Sequence, residues 1–305
     1  MARQIFLSSD GRLRAGWRIL VFLLVFFSLA ILLQFGIKAW AGGVPKTSPY
    51  LRNAILILLT ATAATLAVPI ARRYLDKKTF ASLGLRAGGR AGGDLAFGFL
   101  LSGAMAAAFL GLLALTGLGS VEGLAWNVEP QDAAAFGALA IYLAKISLGS
   151  LAFFLLMDVV VGWWEELVFR GYLFQNLVEG LRLPGAILLS CVLYGILHAA
   201  NPNAGLISTL LIMGFGYLRI YGYLLTGQLW LSMGMHVGWN YFQGHIFGFA
   251  ASGQDTPSLF VLQLRGPDWL SGGDFGPEGS LLVIPILGLA CLAMRWWSAG
   301  RLLPG

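Results

Sequence analysis

The chain has 305 residues, of which 58% are hydrophobic and only 11% are charged. Soluble domains contain about 45–50% apolar residues, so this composition and a mean hydropathy of +0.77 exclude an ordinary soluble protein. The formal net charge of +6 does not indicate a nucleic-acid partner, because the positions of the basic residues relative to the apolar segments account for it.

Apolar segments follow one another along the chain, and most approach the roughly 20 residues that a helix needs to cross a bilayer. They are 19–37, 54–71, 95–118, 148–176, 185–200, 204–224, 229–250 and 280–297. The sequence therefore predicts an all-α fold, a polytopic transmembrane bundle of about eight membrane-spanning helices, with seven as the rival count. We interpret residues 1–305 as a single integral membrane domain, because no soluble domain or clear repeat interrupts the pattern.

The basic residues are distributed unevenly between the two ends of these segments. If the N-terminus is cytoplasmic, most of the 20 basic residues fall on the cytoplasmic side. The exceptions are Lys38, Lys46, Arg52 and Arg265 on the other side and Lys145 near or in the membrane. Membrane proteins typically carry an excess of Lys and Arg in their cytoplasmic loops, so this asymmetry indicates which side is cytoplasmic. We expect an integral protein of the cell (plasma) membrane with both termini in the cytoplasm.

Three charged residues interrupt the apolar stretch WWEELVFRGYL at positions 163–173. Glu166 and Arg170 are four residues apart, so on a helix they lie on one stripe and can form an ion pair. Glu165 lies about 100° away around the helix and can face a different partner. We therefore interpret Glu166 and Arg170 as an ion pair that supports the structure. Glu165 is then available for another role.

The chain has three histidines, and two of them lie in polar clusters within apolar segments. His198 follows Tyr194 by four residues, and His236 precedes Asn240 by four, so each pair shares one helical face. Ionisable groups at membrane depth are costly and usually face a bundle interior or a water-filled cavity. His245 is interpreted as a residue that packs helices.

These clusters predict one wet pocket within the membrane, reached from the cytoplasmic half. The residues expected to line it are Glu165, His198, His236 and Asn240, supported by Glu166 and Arg170. Asp158 lies seven residues before Glu165 on the same stripe, and its role stays open.

The order of the motifs resembles that of a known family. Glu-Glu-x-x-x-Arg, aromatic-x-x-x-His and His-x-x-x-Asn follow one another within 150–250 and together are similar to the motifs of the CPBP family. This family contains the CAAX-protease and bacteriocin-processing intramembrane endopeptidases, including the type II CAAX prenyl endopeptidases. The resemblance implies that 150–250 carries the catalytic core helices. Tyr194 stands where the family usually has Phe, so an aromatic ring is kept.

The resemblance also implies roles for individual residues. It makes Glu165 the catalytic glutamate, Glu166 and Arg170 the supporting pair, and His198, His236 and Asn240 the remaining motif residues. Peptide hydrolysis needs a base that activates water and donors that stabilise the oxyanion. The chemistry agrees if Glu165 is the base, His198 assists it, and His236 and Asn240 stabilise the oxyanion.

The protease type, glutamic or metallo, stays open at this point. The chain has no HExxH motif, but zinc held by Glu165, His198 and His236 is compatible with the preference of that metal for carboxylate and imidazole ligands. We favour water activated by glutamate without an essential metal or other cofactor. The expected partners are membrane lipid and a peptide or lipidated C-terminal tail as substrate, without nucleic acid.

Two other functional classes remain as alternatives. A proton- or ion-coupled transporter also places Glu, Asp and His side chains within the membrane. The absence of a visible sequence repeat disfavours it, because many transporters are built from two related halves. A catalytically silent membrane scaffold that keeps the pocket as structure is the second alternative.

Overall fold

Helices form most of the chain in the computed structural model, which describes residues 5–43, 49–126 and 145–299. The helices before the motif region are α1 (Ala15–Ala41), α2 (Pro49–Tyr74) and α3 (Ala91–Thr116). The motif region contains α4 (Leu148–Glu166), a π-helical turn (Leu167–Leu173), α5 (Phe174–His198), α6 (Leu206–Thr226) and α7 (Trp230–Asn240), which ends in a second π-helical turn (Tyr241–Ile246). The remaining helices are α8 (Asp268–Ser271) and α9 (Val283–Trp297). This architecture confirms the predicted all-α class.

Two short strands join loops that the sequence analysis left without secondary structure. Strand β1 (Gly119–Leu124) pairs antiparallel with β2 (Phe260–Leu264), so that Gly119 lies opposite Leu264 and Leu124 opposite Phe260. A register shift separates Val121 from Gly123. Three-residue or four-residue 3₁₀ turns occur at Phe80–Leu83, Gly273–Phe275 and Pro277–Gly279. The pairing connects the loop after α3 to the loop after α7.

All of the predicted apolar segments contain helix, but they divide differently in the structure. Within the described residues, 5 helical runs are long and apolar enough to cross a membrane: Ala15–Ala41, Tyr50–Tyr74, Ala91–Thr116, Leu148–His198 and Leu206–Thr226. The 51-residue run covers two predicted segments and breaks at Arg182, where φ is 61° and ψ is 171°. Pro184 follows closely and cannot donate the backbone hydrogen bond that a continuous helix needs. The count of about eight crossings stays a prediction.

Helices α3 and α7 approach each other backbone to backbone. A Cβ atom added to Gly234 would lie 2.1 Å from the carbonyl oxygen of Leu95, and one added to Gly238 would lie 2.5 Å from that of Phe99. Small residues spaced four apart permit such close contact between membrane helices. On its other side α7 meets α4, where Val237 contacts Gly162. This packing fixes α7 beside α4 and brings His236 to the glutamates.

Loops that the charge pattern assigns to one side of the membrane contact one another in the structure. At the predicted cytoplasmic end, buried Asp76 accepts hydrogen bonds from Arg18 and Arg72, which ties α1 to the end of α2. At the opposite end, the Asn201 side chain donates to the Ser252 carbonyl. These contacts are consistent with the prediction that successive loops alternate between the two sides of the membrane. Which of the two sides is cytoplasmic stays a prediction.

The count of cytoplasmic basic residues needs a correction. Arg18, Arg72, Arg170 and Arg219 were all counted there, and all four are buried in the protein. Arg170 and Arg219 lie within the helical bundle beside Glu166, so neither is a loop charge of the kind that orients a membrane protein. Arg18 and Arg72 stay at the predicted cytoplasmic end, where both pair with Asp76. The asymmetry that remains comes from residues such as Arg73, Lys77, Lys78, Arg86 and Arg90.

We expect exposed Arg90 and exposed Gln254 to lie on opposite sides of the membrane. Cysteines placed there, Arg90→Cys or Gln254→Cys, can be labelled separately once the two free cysteines, Cys191 and Cys291, are replaced by alanine. A membrane-impermeant maleimide added to intact cells should label Gln254→Cys and reach Arg90→Cys only after lysis. Labelling of both variants in intact cells, or of Arg90→Cys alone, would contradict the predicted orientation.

Candidate active site

A cavity of about 850 Å³ lies among α2, α4, α5, α6 and α7. Its lining includes the predicted site residues Glu165, His198, His236 and Asn240, together with Tyr194 and Arg219. These side chains come from separate helices, so the cavity exists only when the helices pack. The structure therefore brings the sequence-predicted residues into one place.

The opening of the cavity differs from the prediction. Exposed Arg52, Gln254 and Asp255 line one end, and these residues belong to segments that the charge pattern places outside the cell. The predicted cytoplasmic end is instead closed by the buried ion pairs around Asp76 and by a backbone bond from Leu229 to Gly84. The predicted orientation and the predicted access from the cytoplasmic half are therefore incompatible with each other in this structure, and the cell side of the opening stays a prediction.

Glu166 is the centre of a buried hydrogen-bond network, with 0% of its side chain exposed. Its Oε1 atom accepts from Arg170 Nη1 at 3.0 Å and from His236 Nδ1 at 2.9 Å. Its Oε2 atom accepts from the Ser232 hydroxyl at 2.5 Å. The ion pair with Arg170 is the one that the four-residue spacing predicted. With both oxygens engaged by buried partners, Glu166 holds α4, α7 and the π-helical turn together.

Arg170 lies in that π-helical turn, a feature that the sequence did not predict. Its Nη2 atom donates to the Gly216 carbonyl at 3.3 Å, and its guanidinium lies 4.5 Å from the centre of the Tyr194 ring. Single π-helical turns inside α-helices are frequent at functional sites because they redirect side chains locally. Here the turn begins directly after Glu165 and Glu166.

Glu165 has a different environment from its neighbour. Its side chain is 14% exposed, it lines the cavity, and its Oε2 atom accepts from the Tyr194 hydroxyl at 3.2 Å. His236 Nε2 lies 3.7 Å from the same oxygen. Because a carboxylate only accepts, the bond to Glu166 assigns the His236 proton to Nδ1. Neutral His236 therefore presents a lone pair on Nε2 toward Glu165.

His198 is half-buried at the end of α5 and faces the same cavity. Its Nδ1 atom lies 2.8 Å from the Tyr194 carbonyl oxygen, which can only accept, so Nδ1 carries the proton here as well. The rings of Tyr194 and His198 are 4.3 Å apart between centroids. The four-residue spacing thus produces a locally fixed imidazole whose Nε2 atom has a lone pair.

The sequence analysis missed the role of Arg219. This residue of α6 is 3% exposed and donates from Nη1 to the Tyr194 hydroxyl at 2.5 Å. Its Nε atom lies 3.9 Å from Glu166 Oε1. The available signal was an arginine inside the apolar segment 204–224, since charged residues at membrane depth mark functional positions. Counting it as a cytoplasmic charge hid that signal.

No group of three or more His, Cys, Asp or Glu side chains in 5–43, 49–126 or 145–299 is placed to hold a metal ion. Glu165 and His236 face one another, while the Nδ1 atoms of both site histidines already have acceptor partners. These Nδ1 contacts do not exclude a metal, because a metal-bound histidine usually donates its other ring N–H to a carboxylate or carbonyl; what is missing in the described residues is a gathering of Glu165, His198 and His236 as one ligand group. Metal dependence stays a prediction to be tested.

Comparison with known proteins gives two matches to the motif region. Residues 147–242 match the family described as Type II CAAX prenyl endopeptidase Rce1-like. The chain is also similar to Uncharacterized protein YyaK of Bacillus subtilis (strain 168), with 30% identity over 118 residues that cover 34% of this chain and 37% of that relative. The chain therefore spans well under two thirds of the relative's length. No solved structure matches it.

Proposed function

We propose that this chain, whose residues 147–242 belong to the type II CAAX prenyl endopeptidase Rce1-like family, cleaves a peptide bond with water that Glu165 activates. The apolar helices indicate an integral membrane protein, and the family match supports an intramembrane protease that acts on a peptide substrate. The residue roles below, the placement in the plasma membrane and the choice of a lipidated tail or another peptide are parts of the proposal.

One observation carries the mechanism: two acceptor atoms face each other across the cavity. Glu165 Oε2 and His236 Nε2 are 3.7 Å apart. The proposed mechanism takes Glu165 as a carboxylate and His236 as a neutral imidazole. A water molecule about 2.8 Å from each atom could donate one O–H bond to the carboxylate and the other to the imidazole. Such a water is oriented with its oxygen lone pairs directed away from both acceptors, into the cavity.

In the first chemical step, the water oxygen attacks the carbonyl carbon of the scissile peptide bond. The water O–H bond breaks, its proton moves to Glu165, and a C–O bond forms as the carbonyl becomes an oxyanion. The Asn240 amide at the cavity surface donates a hydrogen bond to this oxyanion, and the nearby guanidinium of Arg219 stabilises its negative charge. We revise the role of His236 accordingly: with its proton on Nδ1 it orients water and does not donate to the oxyanion.

In the second step, the C–N bond breaks and the oxyanion returns to a carboxyl group. The leaving amine takes the proton that Glu165 received, which restores the carboxylate. His198 assists by relaying this same proton through Nε2 from Glu165 to the departing amine, because its other ring nitrogen is occupied by the Tyr194 carbonyl. No step of this scheme uses a metal.

The experiment that tests this function is a cleavage assay with the purified full chain in liposomes. Membrane fractions and synthetic peptides, with and without a lipidated C-terminal tail, are incubated in water enriched in ¹⁸O, and new termini are mapped by mass spectrometry. Hydrolysis incorporates solvent oxygen into the new carboxyl end. Absence of new termini across all substrates, together with proton- or ion-driven flux in the same liposomes, would favour the transporter instead.

We expect the protein to remain active after a chelator wash, with zinc well below stoichiometric amounts, because Glu165 can activate water by itself and no group of three ligand side chains among the described residues is placed to hold a metal. Elemental analysis of the active preparation measures this directly. His198→Ala and His236→Ala are the matched variants, since both remove proposed ligands. Stoichiometric zinc that accompanies activity in the original protein and disappears in both variants would establish a metalloprotease.

A further inference from the structure

A second pair of ionisable side chains lines the same cavity at a distance from Glu165. Asp158 precedes Glu165 by seven residues on α4, which corresponds to about 10.5 Å along the helix axis. His245, in the π-helical turn that ends α7, lies beside it, with Nε2 3.8 Å from Asp158 Oδ2. The two residues are only 8% and 7% exposed, and the water-activating steps proposed above use neither of them.

The position of the proton on His245 follows from its backbone contact. Nδ1 lies 3.0 Å from the Pro257 carbonyl oxygen, which can only accept, so Nδ1 carries the proton and donates it. The ring is stacked on Phe154 with centroids 4.3 Å apart and an angle of 2° between the planes. The imidazole is thus held with the lone pair of Nε2 toward Asp158.

Asp158 Oδ2 is buried and has no hydrogen-bond partner among the described residues. Burying a polar atom without a partner is costly, and a carboxylate more so than most. The Thr256 hydroxyl, which lines the cavity close to Gly244, is also buried without a partner within the described chain. Asp158 Oδ2 and His245 Nε2 therefore lie 3.8 Å apart in the cavity lining, and a group with several N–H donors would satisfy both.

We propose that Asp158 and His245 form a subsite for a cationic side chain, lysine or arginine, of the peptide substrate. The proposal rests on the proposed function, because Glu165 defines where the scissile bond lies. An extended peptide advances about 3.3 Å per residue, so the subsite receives a side chain about three residues from that bond. A lysine ammonium has three N–H donors, enough for both Asp158 Oδ2 and His245 Nε2.

Binding to the uncleaving variant Glu165→Gln tests this subsite without relying on catalysis. Fluorescent apolar peptides carry a single lysine, scanned over the positions on both sides of a central bond, and each is paired with a norleucine peptide of the same shape. We expect lysine about three residues from the central bond, on one side of it, to improve affinity about tenfold, as one charge-assisted hydrogen bond would. Acetyl-lysine, which lacks the charge, should lose that gain.

The matched variants identify the residue responsible. Asp158→Asn should bring the lysine peptide down to the affinity of the norleucine peptide, whereas Asp274→Asn, at an exposed position outside the cavity, should keep the preference. Equal binding of lysine, acetyl-lysine and norleucine peptides by protein with Asp158 intact would overturn the subsite even if Asp158→Asn failed to fold. A lysine preference with no cleavage by the original protein would leave the subsite standing and refute the protease.

Discussion

Glu165→Gln is expected to reduce turnover by about 10³-fold, since a positioned general base contributes on the order of 10² to 10⁴. Glutamine has the shape of glutamate and can still accept from the Tyr194 hydroxyl, which lies 3.2 Å from Glu165 Oε2. It cannot take a proton from water, so the loss should appear in kcat. Because the side chain lies at the cavity surface, we expect the thermal midpoint of unfolding to change little.

The measurement is kcat for the best peptide from the ¹⁸O assay, with the thermal midpoint recorded on the same preparation. Glu122→Gln is the matched control, because Glu122 is an exposed residue of β1 that is outside the cavity. Full turnover by Glu165→Gln would assign the base to another residue. A large fall in its thermal midpoint would indicate that Glu165 serves the fold and that lost activity follows from lost structure.

Arg170→Ala is expected to destabilise the protein by about 3 kcal/mol, since removing one partner from a buried ion pair typically costs about 3–5 kcal/mol. The low end applies because Ser232 and His236 would still donate to Glu166. The substitution also removes the bond to the Gly216 carbonyl and the contact with the Tyr194 ring. Reversible unfolding in detergent, followed by tryptophan fluorescence, gives the free energy directly.

Two further variants serve as controls for the effect of Arg170→Ala on stability. Arg295→Ala is the matched control at an exposed position near the end of α9, where we expect a change within about 0.5 kcal/mol. Glu166→Gln combined with Arg170→Met removes both charges and should recover part of the lost stability, because no buried carboxylate is then left unpaired. If Arg170→Ala unfolds with the same free energy as the original protein, the buried pair does not support the site.

Predictions that depend on neighbours along one helix held up in the structure. The spacing of Glu166 and Arg170 predicted an ion pair, and the atoms lie 3.0 Å apart. The apolar segments became helices because their composition favours burial or contact with lipid over the whole length of a segment. The order of the motifs also pointed to the family whose model matches residues 147–242, since that order is a property of the chain and needs no coordinates.

Contacts between distant residues could not be read in the same way. Helical periodicity placed His236 on a polar face, but it could not show that Nδ1 binds Glu166 and leaves Nε2 toward Glu165, across about 70 positions of sequence. It also gave no reason to bring Asp158 to His245, whose Nε2 atom lies 3.8 Å from Asp158 Oδ2. Side-chain pairing across helices depends on how the helices cross, which a one-dimensional pattern does not contain.

The sequence by itself determined that this is a helical membrane protein with its polar groups gathered in three motifs, because hydropathy and residue spacing act locally. Tertiary structure decided how those groups are used. Close backbone packing at Gly234 and Gly238 sets α7 against α3, and contact with Gly162 sets it against α4. That arrangement buries Glu166 in a network, leaves Glu165 at the cavity surface, and gives adjacent, chemically identical residues different environments.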